Sequence, residues 1–185
     1  MKTRNFYILI ASILIGIITF WLMIIAFTEL DIDPFEDPNK ITIEGNGVSR
    51  TLIISVSELT SGKYDLVEDK TFHIMNRYET EYDVIYSGIT LWSIIEEENL
   101  IIQSSSILEF RFYARDGYSS PKFLNLSIAE VNPDLVIIAY DQNGIPLSEG
   151  EGSLRSVMDQ SVMPPNEYSS QYSVQKLYQI IINIV

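Results

Sequence analysis

The stretch LVIIAYDQNGIPLSEGEGSLR, residues 135–155, contains the pattern that decides the fold. Residues 135–140 are continuously apolar, which is typical of a central strand that is buried on both faces. Residues 141–144, Asp-Gln-Asn-Gly, then predict a turn into Ile145-Pro146-Leu147, because Asn and Gly both tolerate positive φ. The stretch therefore predicts the centre of a β-sheet followed by a hairpin.

Short segments rich in β-forming residues lie on both sides of this stretch. Residues 107–113 alternate apolar and polar side chains, which is typical of a strand that is buried on one face. Residues 41–44 are followed by Gly45-Asn46-Gly47, so we expect a hairpin into residues 48–56. Further candidate strands are residues 71–75, 83–86, 121–126 and, at the C-terminal end, 173–185.

Two segments have helical patterns. Residues 57–59 predict a capped helical turn, and residues 90–100 predict the longest helix of the domain, because their apolar side chains recur at helical spacing. The run Glu96-Glu97-Glu98 is interpreted as the solvated side of that helix, with a paired-carboxylate acid/base site as the alternative. Together with eight or nine strands, these helices predict a β-rich α+β fold with a mixed sheet.

The polar segment 148–171 is rich in Gly, Ser and Pro and predicts a long loop. A loop of this length inside a compact domain is usually functional or mobile. Its later part, residues 164–170, is a candidate lid over a pocket.

The N-terminal part of the chain predicts a membrane anchor. Residues 6–27 have no charged side chain, and a helix of this length spans about 33 Å, enough to cross a hydrocarbon core of about 30 Å. Lys2 and Arg4 precede the span and acidic residues follow it. We therefore expect a single-pass plasma-membrane protein with a cytoplasmic N-terminus and an extracellular domain. A cleaved signal peptide is the alternative, but its apolar core would be only about 7–15 residues long.

Composition also suggests the domain boundaries. Residues 1–27 form a cytoplasmic stub and a transmembrane anchor, residues 28–40 an acidic linker, and residues 41–185 one folded domain. The carboxylates of the linker raise the alternative of a calcium site. Because the linker lacks the glycine and the closing glutamate of a calcium loop, we interpret it as a solvated spacer.

Charge and cysteine content exclude several classes of function. After residue 27 the chain has ten basic and 25 acidic residues, a formal charge of −15, which disfavours nucleic acid as a partner. The absence of cysteine excludes disulfides, thiolate catalysis and thiolate metal sites. The expected partners are the membrane, through the N-terminal helix, and another membrane or surface protein.

Five motifs, taken in order over most of residues 41–185, resemble the oxidoreductase molybdopterin-binding domain of the sulfite oxidase superfamily. The resemblance implies a β-rich fold, a molybdopterin cofactor and redox chemistry. The motifs, followed by a closing Ser-Val-x-Lys strand, are ITIEGNGV (41–48), SVSEL (55–59), GITLWSIIEEENLI (88–101), FRFYARDGYSS (110–120) and VIIAYDQNGIPLSEGEGSLR (136–155).

The chain departs from the family at the metal ligand. Active members of the family bind molybdenum through a cysteine on the strand that precedes the Gly-x-x-Leu helix, and the matching place here falls near Met75. A neutral thioether cannot replace a thiolate as a ligand of a hard, high-valent metal. His73, two residues earlier, could donate an imidazole nitrogen, and its alternative role is a packed or surface side chain. Molybdenum ligation is therefore not expected.

The resemblance also implies a set of candidate cofactor-binding residues. Arg155 matches the loop arginine of the family, and Lys176 approximates the lysine of its last strand. Asp116 and Tyr118 match the Asp-Gly-Tyr block, although Asp-Gly also makes a turn and tyrosine also covers a sheet edge. With His73, these residues form the candidate set for a molybdopterin-type ligand.

Three functions remain open at the level of sequence. The first is a non-catalytic relative of the family that binds a ligand or a partner protein. The second is an oxidoreductase that holds a molybdopterin-type cofactor without cysteine ligation. The third is an unrelated β-rich surface domain that binds proteins or sugars, and fold alone does not decide among them.

Overall fold

The described residues after position 36 contain ten strands, three short helices and three 3₁₀ turns. The computed structural model describes residues 13–14, 16–21, 37, 39–101, 107–148 and 152–185. The helices are α1 (Val56–Leu59), α2 (Leu91–Glu97) and α3 (Ser127–Val131). The strands are β1 (Lys40–Glu44), β2 (Leu52–Ser55), β3 (Leu66–Met75), β4 (Glu81–Thr90), β5 (Leu108–Ala114), β6 (Leu124–Asn125), β7 (Val136–Gln142), β8 (Ile145–Pro146), β9 (Arg155–Met158) and β10 (Leu177–Ile184).

The first sheet has the strand order β2-β1-β10-β5-β6. Strand β1 runs parallel to β10, and the other pairs are antiparallel, so the sheet is mixed as predicted. Burial alternates strictly along β5, with Leu108, Phe110, Phe112 and Ala114 facing inward. This confirms the half-buried strand that the alternation of residues 107–113 predicts.

The second sheet has the order β3-β4-β7-β8, and β9 pairs with the other half of β7. Residues 136–139 of β7 are fully buried, which confirms the predicted central strand. Gln142 pairs with Ile145 across Asn143 and Gly144, which both have positive φ. The predicted two-residue hairpin is therefore present, because both turn residues adopt the left-handed conformation that such a turn requires.

The second sheet is curled, so that its edge strand β3 comes close to the segment that follows β9. Strand β3 is an edge strand, and its outward backbone amides at His73 and Met75 donate to side chains from the segment that follows β9. The His73 amide donates to Asp159 Oδ2 at 2.7 Å and the Met75 amide to Ser169 Oγ at 3.0 Å. These two bonds satisfy donors on the outer edge of β3 and tie that edge to the segment that follows β9.

Two apolar clusters lie on the two sides of the second sheet. Alternate residues of β7 belong to different clusters. Val136 and Ile138 pack in the larger cluster, against the first sheet. Ile137 and Ala139 pack in the smaller cluster. The smaller cluster fills the curled sheet and consists of Val67, Phe72, Ile74, Tyr86, Ile137, Ala139 and Val157. Burial of such side chains contributes about 1.5–3 kcal/mol each to folding.

The structure differs from the sequence prediction in two connections. The hairpin after β1 has a long loop, because β2 begins only at Leu52. Gly45 and Gly47 hold this loop against β10, and a Cβ on Gly45 would lie 2.1 Å from the Ile182 carbonyl oxygen. The predicted loop 148–171 contains the buried strand β9. The local sequence does not predict this strand, because its first two residues, Arg155 and Ser156, are polar.

The closing strand is shorter than predicted, and some of its side chains point to the other face of the sheet than the one predicted. Strand β10 begins at Leu177, because Lys176 adopts a positive φ of 51°. The pairing with β5 is irregular between Leu177 and Gln179. Alternation along residues 174–184 predicts one shared face, and Ile180 and Ile182 are buried accordingly. Lys176 and Tyr178, which the same alternation places on that face, are only half-buried.

Glu98, at the end of α2, is not the solvated residue that the sequence predicts. It accepts hydrogen bonds from the Lys63 ammonium, from the Tyr64 hydroxyl at 2.8 Å and from Arg50 Nη2 at 2.7 Å. These donors, above all Lys63 and Tyr64, hold the pKa of the Glu98 carboxyl below its usual value. Glu96 and Glu97 are exposed, as predicted.

The predicted N-terminal membrane anchor requires a correction. Within the described part of the chain, no helix combines the length and the apolar character needed to cross a membrane. This finding contradicts the predicted single-pass anchor, and with it the predicted plasma-membrane location and extracellular domain. Residues 1–12, 15, 22–36 and 38 lie outside the described residues.

Candidate functional site

A polar cavity of about 330 Å³ opens at one end of the curled second sheet, next to the smaller apolar cluster. We call it the Arg155 cavity. One wall comes from β3, β4, β7 and β9, and the other from the segment before β10. Its lining consists of Ile74, Tyr82, Val84, Tyr86, Gln142, Arg155, Ser170, Ser173 and Gln175.

Arg155 is the cation that lines this cavity. As the first residue of β9 it pairs with Ala139, so its side chain shares the inner face of the curled sheet. Only 7% of the residue is exposed, and Nη1 donates to Gln142 Oε1 at 2.8 Å and to the Tyr86 hydroxyl at 3.1 Å. These two neutral groups orient the guanidinium, and a planar guanidinium is well suited to bind a carboxylate.

A second cavity, of about 200 Å³, adjoins the first. We call it the Asp116 cavity. Three of its lining residues, Ser170, Ser173 and Gln175, also line the Arg155 cavity, and the other two are Asp116 and Tyr118. The structure thus brings three of the residues predicted from the sequence, Arg155, Asp116 and Tyr118, to two neighbouring cavities with a common wall.

The Asp-Gly-Tyr block forms a tight turn directly after β5. Asp116 Oδ1 accepts from the Tyr118 amide at 3.2 Å, and Gly117 has a φ of 85°. The Tyr118 hydroxyl donates to the Gln171 carbonyl at 2.8 Å, and burial raises the pKa of Tyr118. The block therefore makes the turn that its sequence also allows, and it positions a carboxylate at the cavity wall.

Lys176 lies beside this carboxylate and lines neither cavity. Its Nζ is 4.0 Å from Asp116 Oδ2, and both side chains are partly exposed, 38% for Lys176 and 50% for Asp116. Gly152 makes this position possible, since a Cβ on it would lie 2.6 Å from Lys176 Cα. An exposed pair at this distance is weak.

The wall shared by the two cavities is firmly attached to the domain. Buried Glu167 accepts from the Tyr172 hydroxyl at 2.9 Å and from the Lys122 ammonium. Burial, together with this bond to Glu167, raises the pKa of Tyr172. The Ser169 amide donates to Gln160 Oε1 at 2.9 Å. Because its neighbours are fixed in this way, the wall residue Ser170 belongs to a pre-formed site.

His73 and Met75 do not line the Arg155 cavity. Neighbouring residues of a strand face opposite sides, and it is Ile74, between them, that lies in the cavity wall. His73 Nδ1 lies 3.0 Å from Asp83 Oδ1, and its Nε2 lies 3.6 Å from Glu81 Oε2. Over the described ranges, no group of three or more His, Cys, Asp or Glu side chains is arranged to hold a metal ion.

The carboxylates around His73 predict a measurable shift of its titration. The hydrogen bond to Asp83, more than the charge of Glu81, raises the pKa of His73 above its ordinary value of 6.5. His73 is the single histidine of the chain, so its imidazole proton signals are unambiguous in an NMR titration. We expect a midpoint above 6.5 that falls towards this value in Asp83→Asn.

Glu81→Gln is the matched control and should lower the His73 midpoint less than Asp83→Asn, because its carboxylate is farther away. Since the folded state holds the proton more tightly, protonated His73 stabilises the fold below the unfolded pKa. That contribution is lost as the pH rises through the folded pKa. A midpoint that Asp83→Asn leaves unchanged would contradict the assigned contact.

Most residues that line the Arg155 cavity are not predicted as site residues by the sequence. Tyr82, Val84 and Tyr86 are alternate residues of β4 and therefore share one face. The predicted strand, residues 83–86, is too short to contain Tyr82, so the pattern becomes visible only when the strand is extended towards its N-terminal end. The sequence pattern predicts Gln142 only as a turn residue. Its role as an acceptor for Arg155 depends on pairing between β7 and β9, which local sequence does not reveal.

The residues present do not fit a molybdenum–pterin group. The cysteine ligand that the family resemblance implies is not available, because the chain contains no cysteine. The residue of β3 that lines the cavity is Ile74, whose hydrocarbon side chain has no donor atom. Among the residues lining the two cavities, Arg155 is the only cation, and Asp116 adds a negative charge next to any bound phosphate.

Comparison with known proteins supports the fold. No protein-family model matches the sequence, and no curated protein matches it. Among solved structures, the chain is similar to the sulfane dehydrogenase SoxCD from Paracoccus pantotrophus, with a TM-score of 0.59 and 14% sequence identity. The match covers 81% of this chain but only 40% of the SoxCD chain. At this level of identity the likeness concerns the fold alone.

Proposed function

We propose that this domain is a non-catalytic relative of the molybdopterin oxidoreductase fold, and that its Arg155 cavity binds the anionic group of a small ligand. The observation that carries the proposal is the buried guanidinium of Arg155 at the wall of a polar cavity, in a chain that has no thiolate. A cavity of about 330 Å³ is at the lower end of the size range of small-molecule sites.

The contacts around Arg155 favour a carboxylate as the anionic group. Hydrogen bonds from a charged donor to a charged acceptor are about twice as strong as neutral ones. Hydroxyl groups of Ser170, Ser173 and Tyr82 line the same cavity and can donate to the second oxygen of a carboxylate. Ile74 and Val84 add apolar surface for a short hydrocarbon chain.

The test is binding of hexanoate to the purified full chain, followed by ¹H–¹⁵N NMR. We expect saturable shifts at the amides of Ser170 and Ser173, and weaker binding in Arg155→Gln by at least about tenfold, which corresponds to about 1.4 kcal/mol. Arg155→Lys keeps the charge but loses the planar donor pair, so its affinity should lie between those of the other two proteins.

Arg50→Gln is the matched control for Arg155→Gln, because it removes the same charge from a residue that contacts Glu98 instead of a cavity. Its hexanoate affinity should stay within about twofold, well below the 1.4 kcal/mol of a tenfold change. Equal losses in both variants would show a general charge effect and contradict the proposal. Native mass spectrometry provides an independent test, since one metal–pterin group bound per chain would overturn the non-catalytic assignment.

A further inference from the structure

We infer that the ligand is a zwitterion, with a carboxylate at Arg155 and a primary ammonium group at Asp116. The inference rests on the proposed function, because it names the ligand class for the same site. It is carried by the juxtaposition of the Arg155 and Asp116 cavities, which share the wall formed by Ser170, Ser173 and Gln175.

The two adjoining cavities, which together we call the groove, present opposite charges, from Arg155 in one and from Asp116 in the other. The guanidinium end is buried, with Arg155 only 7% exposed, whereas the side chain of Asp116 is 50% exposed. An elongated ligand can therefore place its carboxylate in the enclosed end and its ammonium group near the mouth. The shared wall offers hydroxyl and amide groups, which suit the polar middle of such a ligand.

The charge of the whole domain favours the same ligand class. The formal charge of the chain after residue 27 is −15, and this field opposes the approach of a simple anion. A zwitterion has no net charge, so its approach is not penalised, while each of its ends still finds an opposite charge in the groove. The acidity that argues against a phosphate ligand thus does not argue against this one.

Lys176 competes with a ligand ammonium group for Asp116. Its Nζ lies 4.0 Å from Asp116 Oδ2, on an exposed surface where such a pair is worth little. A ligand ammonium group can therefore displace or share this contact. Removal of the Lys176 charge should strengthen the discrimination in favour of zwitterions.

The experiment compares ω-amino acids with unsubstituted carboxylates of the same chain length, from four to eight carbons. NMR titration of the full chain gives, at each length, the ratio of carboxylate Kd to amino-acid Kd. We expect this ratio to reach about twofold to fivefold at one preferred length, which is the scale of a single exposed ion pair. Asp116→Asn should return it to about one, and Lys176→Gln should increase it.

Asp116→Asn keeps the oxygen that accepts from the Tyr118 amide, so the turn is preserved and loss of the ratio reports the charge. A ratio near one at every length, with carboxylate binding still dependent on Arg155, overturns the inference and leaves the proposed function intact. A ratio that persists in Asp116→Asn also overturns it. If neither series binds, the proposed function fails as well.

Discussion

The Gly88→Ala variant is expected to lose about 3 kcal/mol of its free energy of unfolding, the upper part of the range for overpacking a core. A Cβ at Gly88 would lie 2.4 Å from the Ile138 carbonyl oxygen and 2.7 Å from Ala139 Cα. Both atoms belong to the backbone of β7, which pairs directly with β4 at this point. Urea unfolding followed by circular dichroism gives the difference.

The contact cannot be relieved cheaply, because β7 is the centre of the second sheet. It pairs with β4 on one side and with β8 and β9 on the other, so a shift of its backbone disturbs three ladders at once. It would also move Ala139, which pairs with Arg155 in β9. Gly88→Ala should therefore weaken hexanoate binding as well as stability.

Gly62→Ala is the matched control for Gly88→Ala. A Cβ at Gly62 meets no atom within 4 Å, and only its positive φ of 85° opposes alanine. That conformational cost is about 1 kcal/mol. If both variants lose the same free energy of unfolding, close packing against β7 is not the reason for glycine at position 88, and its place in the Gly-x-x-Leu motif needs another explanation.

The local sequence pattern correctly predicts those strands and turns in which each residue type follows from its own burial or backbone conformation. Strand β5 alternates because one face meets the core and the other does not, and residues 136–139 are all apolar because both faces of β7 are covered. The Asn143-Gly144 turn follows from the conformational freedom of its own two residues. In each case the cause lies within the segment itself.

The elements that were missed depend on distant residues. Strand β9 contains Arg155 and Ser156, which look like loop residues until β7 provides the backbone pairs and Tyr172 and Val174 provide partners for the serine hydroxyl. The side chains of β10 change the face of the sheet to which they point at the irregular pairing with β5, between Leu177 and Gln179. Neither event leaves a signal in the local hydrophobic pattern.

The candidate site shows the same division. The motif resemblance identified Arg155, Asp116 and Tyr118, and the structure places all three at two adjoining cavities. It could not identify Tyr86 and Gln142, whose contacts with Arg155 arise from strand pairing. In β3 the family resemblance places the position of the cysteine near Met75, but the pleat of the strand puts Ile74 in the cavity wall.

Asp159→Ala is expected to lose about 2–3 kcal/mol of the free energy of unfolding, because a hydrogen bond to a charged acceptor contributes about 1.5–3 kcal/mol. Asp159 is 7% exposed, and its Oδ2 accepts from the His73 amide at 2.7 Å. Its Oδ1 accepts from the Ser161 amide at 2.9 Å and from the Ser161 hydroxyl at 2.6 Å. One carboxylate thus joins the end of β9 to the edge of β3.

Hydrogen exchange at the His73 amide distinguishes this role from general destabilisation. In Asp159→Ala the amide loses its acceptor and should exchange faster than amides at the centre of β7. Ser161→Ala is the matched control, since it removes one hydroxyl donor and leaves the bond from His73 in place. Unchanged protection of His73 in Asp159→Ala would mean that the curled sheet closes without this contact. The Arg155 cavity, which opens at one end of that sheet, should lose ligand affinity in Asp159→Ala and retain it in Ser161→Ala.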